Sequence, residues 1–130
     1  MSRSGYSDDY DTTDNVWRGA VASALHGKRG QAFLREMLAA FDAMPTKRLI
    51  DEILEQDGEV CAIGAVGVAR KMDMQHFGPE NDPDKVGIAF GIASAMAAEI
   101  AYQNDEAAFY TETPEQRFTR MRAWVVSKIR

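Results

Sequence analysis

The chain has one cysteine, Cys61, and only two histidines, His26 and His76, among its 130 residues. A lone cysteine forms no internal disulfide, so the residue usage points to the reducing cytoplasm. One thiol and two imidazoles also fall short of a structural zinc site. Long apolar runs are missing as well. No stretch reaches the ~18 uninterrupted apolar residues of a membrane span, and Met1-Ser2-Arg3-Ser4-Gly5-Tyr6 has no apolar core of the kind a secretory signal carries. The expectation is a cytoplasmic protein with no membrane partner. No glycine-rich phosphate loop of the Walker type is present. An EF-hand frame begun at Asp82 puts Val86 and Ala93 where two of its ligands belong, so it fails. These absences lead to an expectation of no metal, no cofactor and no assigned catalytic residue.

What is present is ordinary globular material: 45% hydrophobic and 27% charged residues, enough chain for one domain with its own core. The net charge of −5 hides alternating blocks. Asp8, Asp9, Asp11 and Asp14 are followed by Arg18, Lys28, Arg29 and Arg35. Acid returns from Asp51 to Glu59 and from Glu99 to Glu112, and the C-terminal stretch is basic through Arg117, Arg120, Arg122, Lys128 and Arg130. Blocks of this kind usually pair across helix surfaces.

The segment from Asp57 to Lys71 carries the most information. Small and apolar residues (Cys61, Ala62, Ile63, Gly64, Ala65, Val66, Gly67) are bracketed by acid before and base after, the charge order that suits a helix dipole. Two glycines in a helix cost roughly 1 kcal/mol each against alanine. The natural compensation is close approach of a neighbouring backbone, so Cys61, Gly64 and Gly67 are read as structural. Val60 to Val66 also fits a buried strand, but no partner strand is visible and the alanine content favours helix.

Around this segment the pattern is helical. A polar tail over residues 1–14 precedes a helical domain over residues 15–130. The first helix starts at Asp14 or Asn15 and ends at Gly27, with His26 to Gly30 as a turn. The second carries Phe33, Leu34, Met37, Leu38, Phe41 and Met44 at three- and four-residue steps, and Pro45 closes it. A third is expected from Thr46 to Gln56, with Leu49, Ile50, Ile53 and Leu54 on one face. The glycine-bearing helix follows, over about 58–72. Asp82-Pro83 starts a short helix that Gly91 ends. Ser94 to Gln103 is an alanine-rich helix broken by Asn104-Asp105-Glu106. Thr113-Pro114-Glu115-Gln116 is a capping box opening a last helix, with Phe118, Met121, Val125 and Ile129 as its stripe. The fold class is all-α: one compact domain of six to seven helices around a central Gly/Ala-rich helix.

Several of these segments resemble a family of small uncharacterised proteins encoded by tailed bacteriophages and by prophages. The likeness lies in Ser2 to Asp9, Gly27 to Glu36, Asp57 to Ala65, Asn104-Asp105-Glu106, and Thr113 to Phe118 through Trp124-Val125. It covers nearly the whole chain. It implies a genomic setting and action inside a bacterial host cell, and it supplies no activity.

Candidate chemistry is sparse. Cys61 at a helix start is the obvious nucleophile, but His26 and His76 stand at no known nucleophile–base spacing, and a buried inert thiol is the plainer reading. Gly27-Lys28-Arg29-Gly30 could present backbone N–H groups to an anion; the plainer reading is a turn with solvated charges. Arg117, Arg120, Arg122, Lys128 and Arg130 with Trp124, joined with Trp17, Arg18, Lys28 and Arg29, would form a nucleic-acid surface if the two faces met. Otherwise they pair with Asp51, Glu55, Asp105 and Glu106. Asn104, Asp105 and Thr113 are read as structural caps that tie helix ends together, with an Asp105–Glu106 acid–base pair as the sharper alternative. The leading expectation is a non-catalytic accessory protein that binds a host protein; a nucleic-acid binder is second and a Cys61-dependent enzyme third.

Overall fold

The computed structural model describes residues 14–75, 82–108 and 111–130, with side chains from Trp17 onward. The readings placed on residues 1–13 and on His76 lie outside them. Six α-helices and one two-stranded hairpin are found among the described residues. They are α1 (Asp14–His26), α2 (Lys28–Ala43), β1 (Glu55–Gln56), β2 (Glu59–Val60), α3 (Ala62–Ala69), α4 (Pro83–Phe90), α5 (Ser94–Asp105) and α6 (Pro114–Lys128).

The apolar stripe of α2 does what its spacing predicts. Phe33, Leu34, Met37, Ala40 and Phe41 are buried, and the chain leaves helical geometry at Met44, before Pro45. This face packs against α6, whose Phe118, Met121 and Val125 are buried. The two helices run antiparallel. Near one end Gln31 bonds the Lys128 carbonyl, and near the other Asp42 pairs with Arg122 and Phe41 meets Phe118 at 5.5 Å between ring centroids. Lys47 folds back to donate to the carbonyls of Phe41 and Asp42. A cation is thereby set at the negative end of the α2 dipole.

The helix expected over Thr46–Gln56 does not form. Its backbone groups are spent on other parts of the chain instead. The Leu49 N–H donates to the Pro114 carbonyl, Ile50 to Val60, and the Cys61 N–H to Leu54. Glu52 sits at φ 68°, outside helical space. Leu49 and Leu54 are buried, whereas Ile50 and Ile53 are half-buried, so the apolar spacing reflects a crossing loop and not a helix face.

The glycine-bearing helix is also shorter than the 58–72 read from sequence. Asp57 at φ 53° and Gly58 at φ 83° form a two-residue hairpin turn, the conformation that Asp-Gly favours. Glu55 pairs with Val60 and Gln56 with Glu59 around it. The alternative of a buried strand over Val60–Val66 gives way to helix from Ala62, and only Val60 of that run belongs to the short ladder ahead of it. The inter-helix turn contracts too, since α2 is already helical at Lys28 and only Gly27 separates it from α1.

Within its eight residues α3 is the central element, lying between α2 and α5. Every residue from Cys61 to Gly67 is buried, as a helix apolar all round requires. A Cβ on Gly64 would overlap the Leu54 carbonyl oxygen, and one on Gly30 would overlap the Ala24 carbonyl oxygen. Both glycines mark places where another backbone passes too close for any side chain. The remaining caps follow their sequence signals. Asp82 accepts from the Asp84 N–H, Gly91 closes α4 at φ 76°, and Thr113 and Gln116 complete both halves of the capping box.

No single described helix is long and apolar enough to cross a membrane. The pair α4–α5 matches a membrane span by length and composition only, is bent by 110°, and places Val86, Phe90, Met96 and Ile100 in the core.

Candidate functional site

Two clusters of polar side chains stand out, at opposite ends of the α2–α6 pair. The first gathers where α5 ends, α6 begins and the loop after α2 crosses. Asn104 is fully buried and directs both ends of its amide to backbone: Oδ1 accepts from the Ala62 N–H at 3.1 Å, and Nδ2 donates to the Ile50 carbonyl at 2.9 Å. Nδ2 also donates to Asp105 Oδ1, which in turn accepts from the Glu52 N–H at 3.1 Å. That last bond holds the positive-φ residue of the loop in place.

Arg117 belongs to this cluster, which corrects its expected place on a nucleic-acid surface. It is 7% exposed. Its guanidinium donates to the carbonyls of Asn104 (3.1 Å) and Leu49 (2.9 Å) and lies 3.3 Å from the Glu112 carboxylate and 3.8 Å from that of Asp51. The sequence offered no signal for this burial, because a helix-borne arginine within a basic run looks like a solvated face. Arg120, half-buried, makes a two-pronged bond to Glu112 at 3.0 and 2.7 Å and donates to the Gln103 carbonyl. That bond holds the Glu112 carboxyl below its ordinary pKa, against the opposing effect of burial. Glu112 enters the sequence reading only as the end of an acidic block, yet it is the carboxylate on which both arginines converge. Arg122 pairs with Asp42 at 2.8 Å. Trp124 is half-buried and packed against the core.

Cys61 is 1% exposed and is the N-cap of α3, its sulfur accepting from the Gly64 N–H at 3.4 Å. The thiol thus occupies the position that serine or aspartate usually fills. Gly64 and Gly67 follow it on the buried helix, and a Cβ on Gly67 would meet the Met74 side chain. Thr113 caps α6. Among the described residues, no group of three or more His, Cys, Asp or Glu side chains stands close enough to hold a metal ion. Beside Arg120 an open depression of about 380 Å³ is lined by Glu115, Gln116 and Thr119.

The second cluster lies at the other end of the pair, where α2 starts and α6 finishes. Gln31, 7% exposed, donates to the carbonyls of Leu25 and Lys128, each at 2.8 Å, and accepts from the Arg130 N–H at 2.8 Å. One side chain therefore fastens together the end of α1, the start of α2 and the end of α6. Arg35 donates to the Arg130 carbonyl. Around this clamp stand Lys28, Arg29, Arg35, Lys128 and Arg130. All but the half-buried Lys128 are exposed. Lys28, Arg29 and Lys128 form no ion pair among the described residues, whereas the Arg35 guanidinium is engaged by the main-chain oxygen of Arg130. Of these cations the sequence places Lys28, Arg29, Lys128 and Arg130 in a candidate nucleic-acid surface and Arg35 only in a basic block. A usable signal was available, since no carboxylate occurs between Asn15 and Arg35 or after Glu115.

Comparisons with protein-family models, with curated proteins and with solved structures find no match to this chain.

Proposed function

We propose that this protein is a phage- or prophage-encoded accessory protein without catalysis, which binds a macromolecular partner in the bacterial cytoplasm, foremost a host protein. Inhibition of a host defence or regulatory system is the role such binding would serve. The genomic setting rests on the resemblance carried by Gly27–Glu36, Asp57–Ala65 and Thr113–Phe118. The observation that carries the binding reading is the division of labour among polar groups. Cys61, Asn104, Asp105 and Arg117 are turned inward and spent on backbone partners, while the cations at the start of α2 and the end of α6 face outward without carboxylate partners.

The test is affinity purification from bacterial lysate, with nuclease treatment before elution. A stoichiometric protein that survives nuclease supports the reading, and recovery of no stoichiometric partner overturns it. Nucleic-acid binding stands second, favoured by the convergence of the α2 start with the α6 end, which brings together two of the basic segments that reading requires. It is weakened by the inward placement of Arg117. In that case binding of an oligonucleotide would fall steeply and log-linearly with salt. A Cys61-dependent enzyme requires the folded protein to react with iodoacetamide, which a thiol 1% exposed and engaged as a helix cap opposes.

A further inference from the structure

We infer that the end of the molecule where α2 begins and α6 finishes is a docking surface for an acidic protein segment. The inference rests on the binding reading above and names the surface and the chemistry of its partner.

Three features converge there. The first is charge placement that the dipole of α2 disfavours. A helix N-terminus favours carboxylates and disfavours cations, yet the first turn of α2 holds Lys28 and Arg29, has no acid, and its N-cap Gly27 makes no side-chain cap bond. By contrast, α4 and α6 carry Asp84 and Glu115 in their first turns, beneath side-chain caps from Asp82 and Thr113. The first turns of α3 and α5 also lack an acid, and α5 a side-chain cap, so what sets α2 apart is the pair of cations in its first turn. The second is concentration. The clamp at Gln31 brings Lys128 and Arg130 beside Lys28, Arg29 and Arg35 from the far side of the sequence. The third is rigidity, because the buried amide of Gln31 fixes the α6 end against α1 and α2 before any partner arrives.

Charge complementarity identifies the occupant as anionic, and the rest of the molecule favours a protein over nucleic acid. The chain is −5 overall. Asp51, Glu52, Glu55, Asp57 and Glu59 lie on the loop and hairpin toward the far end of the α2–α6 pair, about 22 Å away along the 15 residues of α6. A continuous phosphate backbone running past the basic end would meet this repulsion, whereas a compact acidic patch would not. Trp124 next to the cluster is packed against the core and so is not presented as a stacking platform for bases.

The experiment compares the 130-residue chain with Lys28→Glu/Arg29→Glu and with Lys28→Ala/Arg29→Ala, by fluorescence anisotropy against a labelled oligoglutamate peptide and a single-stranded oligonucleotide. The expected result is peptide binding by the parent chain, weakened at least tenfold by the Glu pair and less by the Ala pair. The melting temperature of both variants should be unchanged or raised, since both relieve the unfavourable helix charge. Absent peptide binding, or equal binding by all three proteins, overturns the proposal. Tighter binding of the oligonucleotide than of the peptide overturns it in favour of nucleic acid. The same variants used in the lysate capture separate the two levels of the argument. A host protein retained equally by parent and Glu variant refutes this surface but leaves the binding reading standing, whereas no partner for either protein removes the binding reading itself.

Discussion

The two ends of the α2–α6 pair use the same residue types for opposite purposes. At the end where α6 begins, arginines are drawn inward. Arg117 lies in the core, and each of its neighbours Asn104, Asp105, Glu112 and Arg120 has a named partner. At the other end only the neutral amide of Gln31 is buried, and the cations around it stay in solvent without acids to meet them. A buried charge survives only when paired and hydrogen-bonded, because desolvation costs several kcal/mol per ion. The first end is therefore built for the fold. The second leaves its cations in solvent, and it is this end that is proposed above as the surface for a partner.

If the first end and the helix it anchors are structural, the largest effects come from breaking them. Gly64→Leu forces a side chain into the space held by the Leu54 carbonyl. Backbone cannot yield as a side-chain tip can, so the cost should exceed the ~3 kcal/mol usual for overpacking. The expected outcome is loss of a cooperative thermal transition by circular dichroism, and a cooperative melt close to the parent's would contradict the packing. Arg117→Met comes next. It removes the donor to the Leu49 carbonyl and one of the two cations at Glu112, and a loss of about 3 kcal/mol is expected in urea unfolding. A change within about 0.5 kcal/mol would return Arg117 to the surface role that its sequence context suggested.

That context shows where sequence was informative and where it was not. Signals confined to one turn of chain were legible. Thr113-Pro114-Glu115-Gln116, Asp82-Pro83 and Gly91 each act through bonds to neighbours a few residues away, and the helices they bound lie where expected. The segment from Thr46 to Gln56 failed because its hydrogen bonds go to Val60 and Pro114, partners that no local period reveals. Its Leu49-Ile50-Ile53-Leu54 spacing imitates a helix face while serving a loop that presses two leucines into the core. The hairpin was readable and missed, since Asp57-Gly58 is the dipeptide a two-residue turn favours. The burial of Arg117 and the clamp formed by Gln31 were hidden for one reason: each depends on which distant carbonyls the fold delivers to that side chain. The open basic end was only half legible. The acid-free stretches are plain in the sequence, but their meeting at one end of the molecule is a tertiary fact.

Glu112 gives the same comparison a pH dependence. Its carboxyl is held below the ordinary value by the Arg120 hydrogen bond. A carboxyl with a depressed folded pKa contributes stability above its unfolded value, about 4.3. That contribution disappears as pH falls through the folded pKa. Glu112→Gln should therefore destabilise at pH 7 and progressively less toward pH 3, so that the two stability curves converge in acid. Parallel curves would mean that the pair is not the source of the shift. Cys61→Ser is expected to be milder still, within about 1 kcal/mol, because the hydroxyl preserves the cap while burying a more polar atom in the same space. An activity abolished by this change with the melting temperature intact would make the thiol a reactive group after all.

The smallest effect is also the one of opposite sign. Lys28→Glu on its own replaces a cation in the first turn of α2 by a carboxylate where the helix dipole favours one. No ion pair among the described residues is lost with the lysine, so a gain of about 0.3–1 kcal/mol is expected at low salt. Screening should reduce it as ionic strength rises. A stabilising substitution this simple, left unused by the chain, is what a surface kept for a partner predicts, because natural sequences sacrifice small increments of stability where function requires them. If Lys28→Glu instead destabilised the fold, the lysine would have a structural role, and the contrast between a spent and an unspent end would fail at the residue on which it most depends.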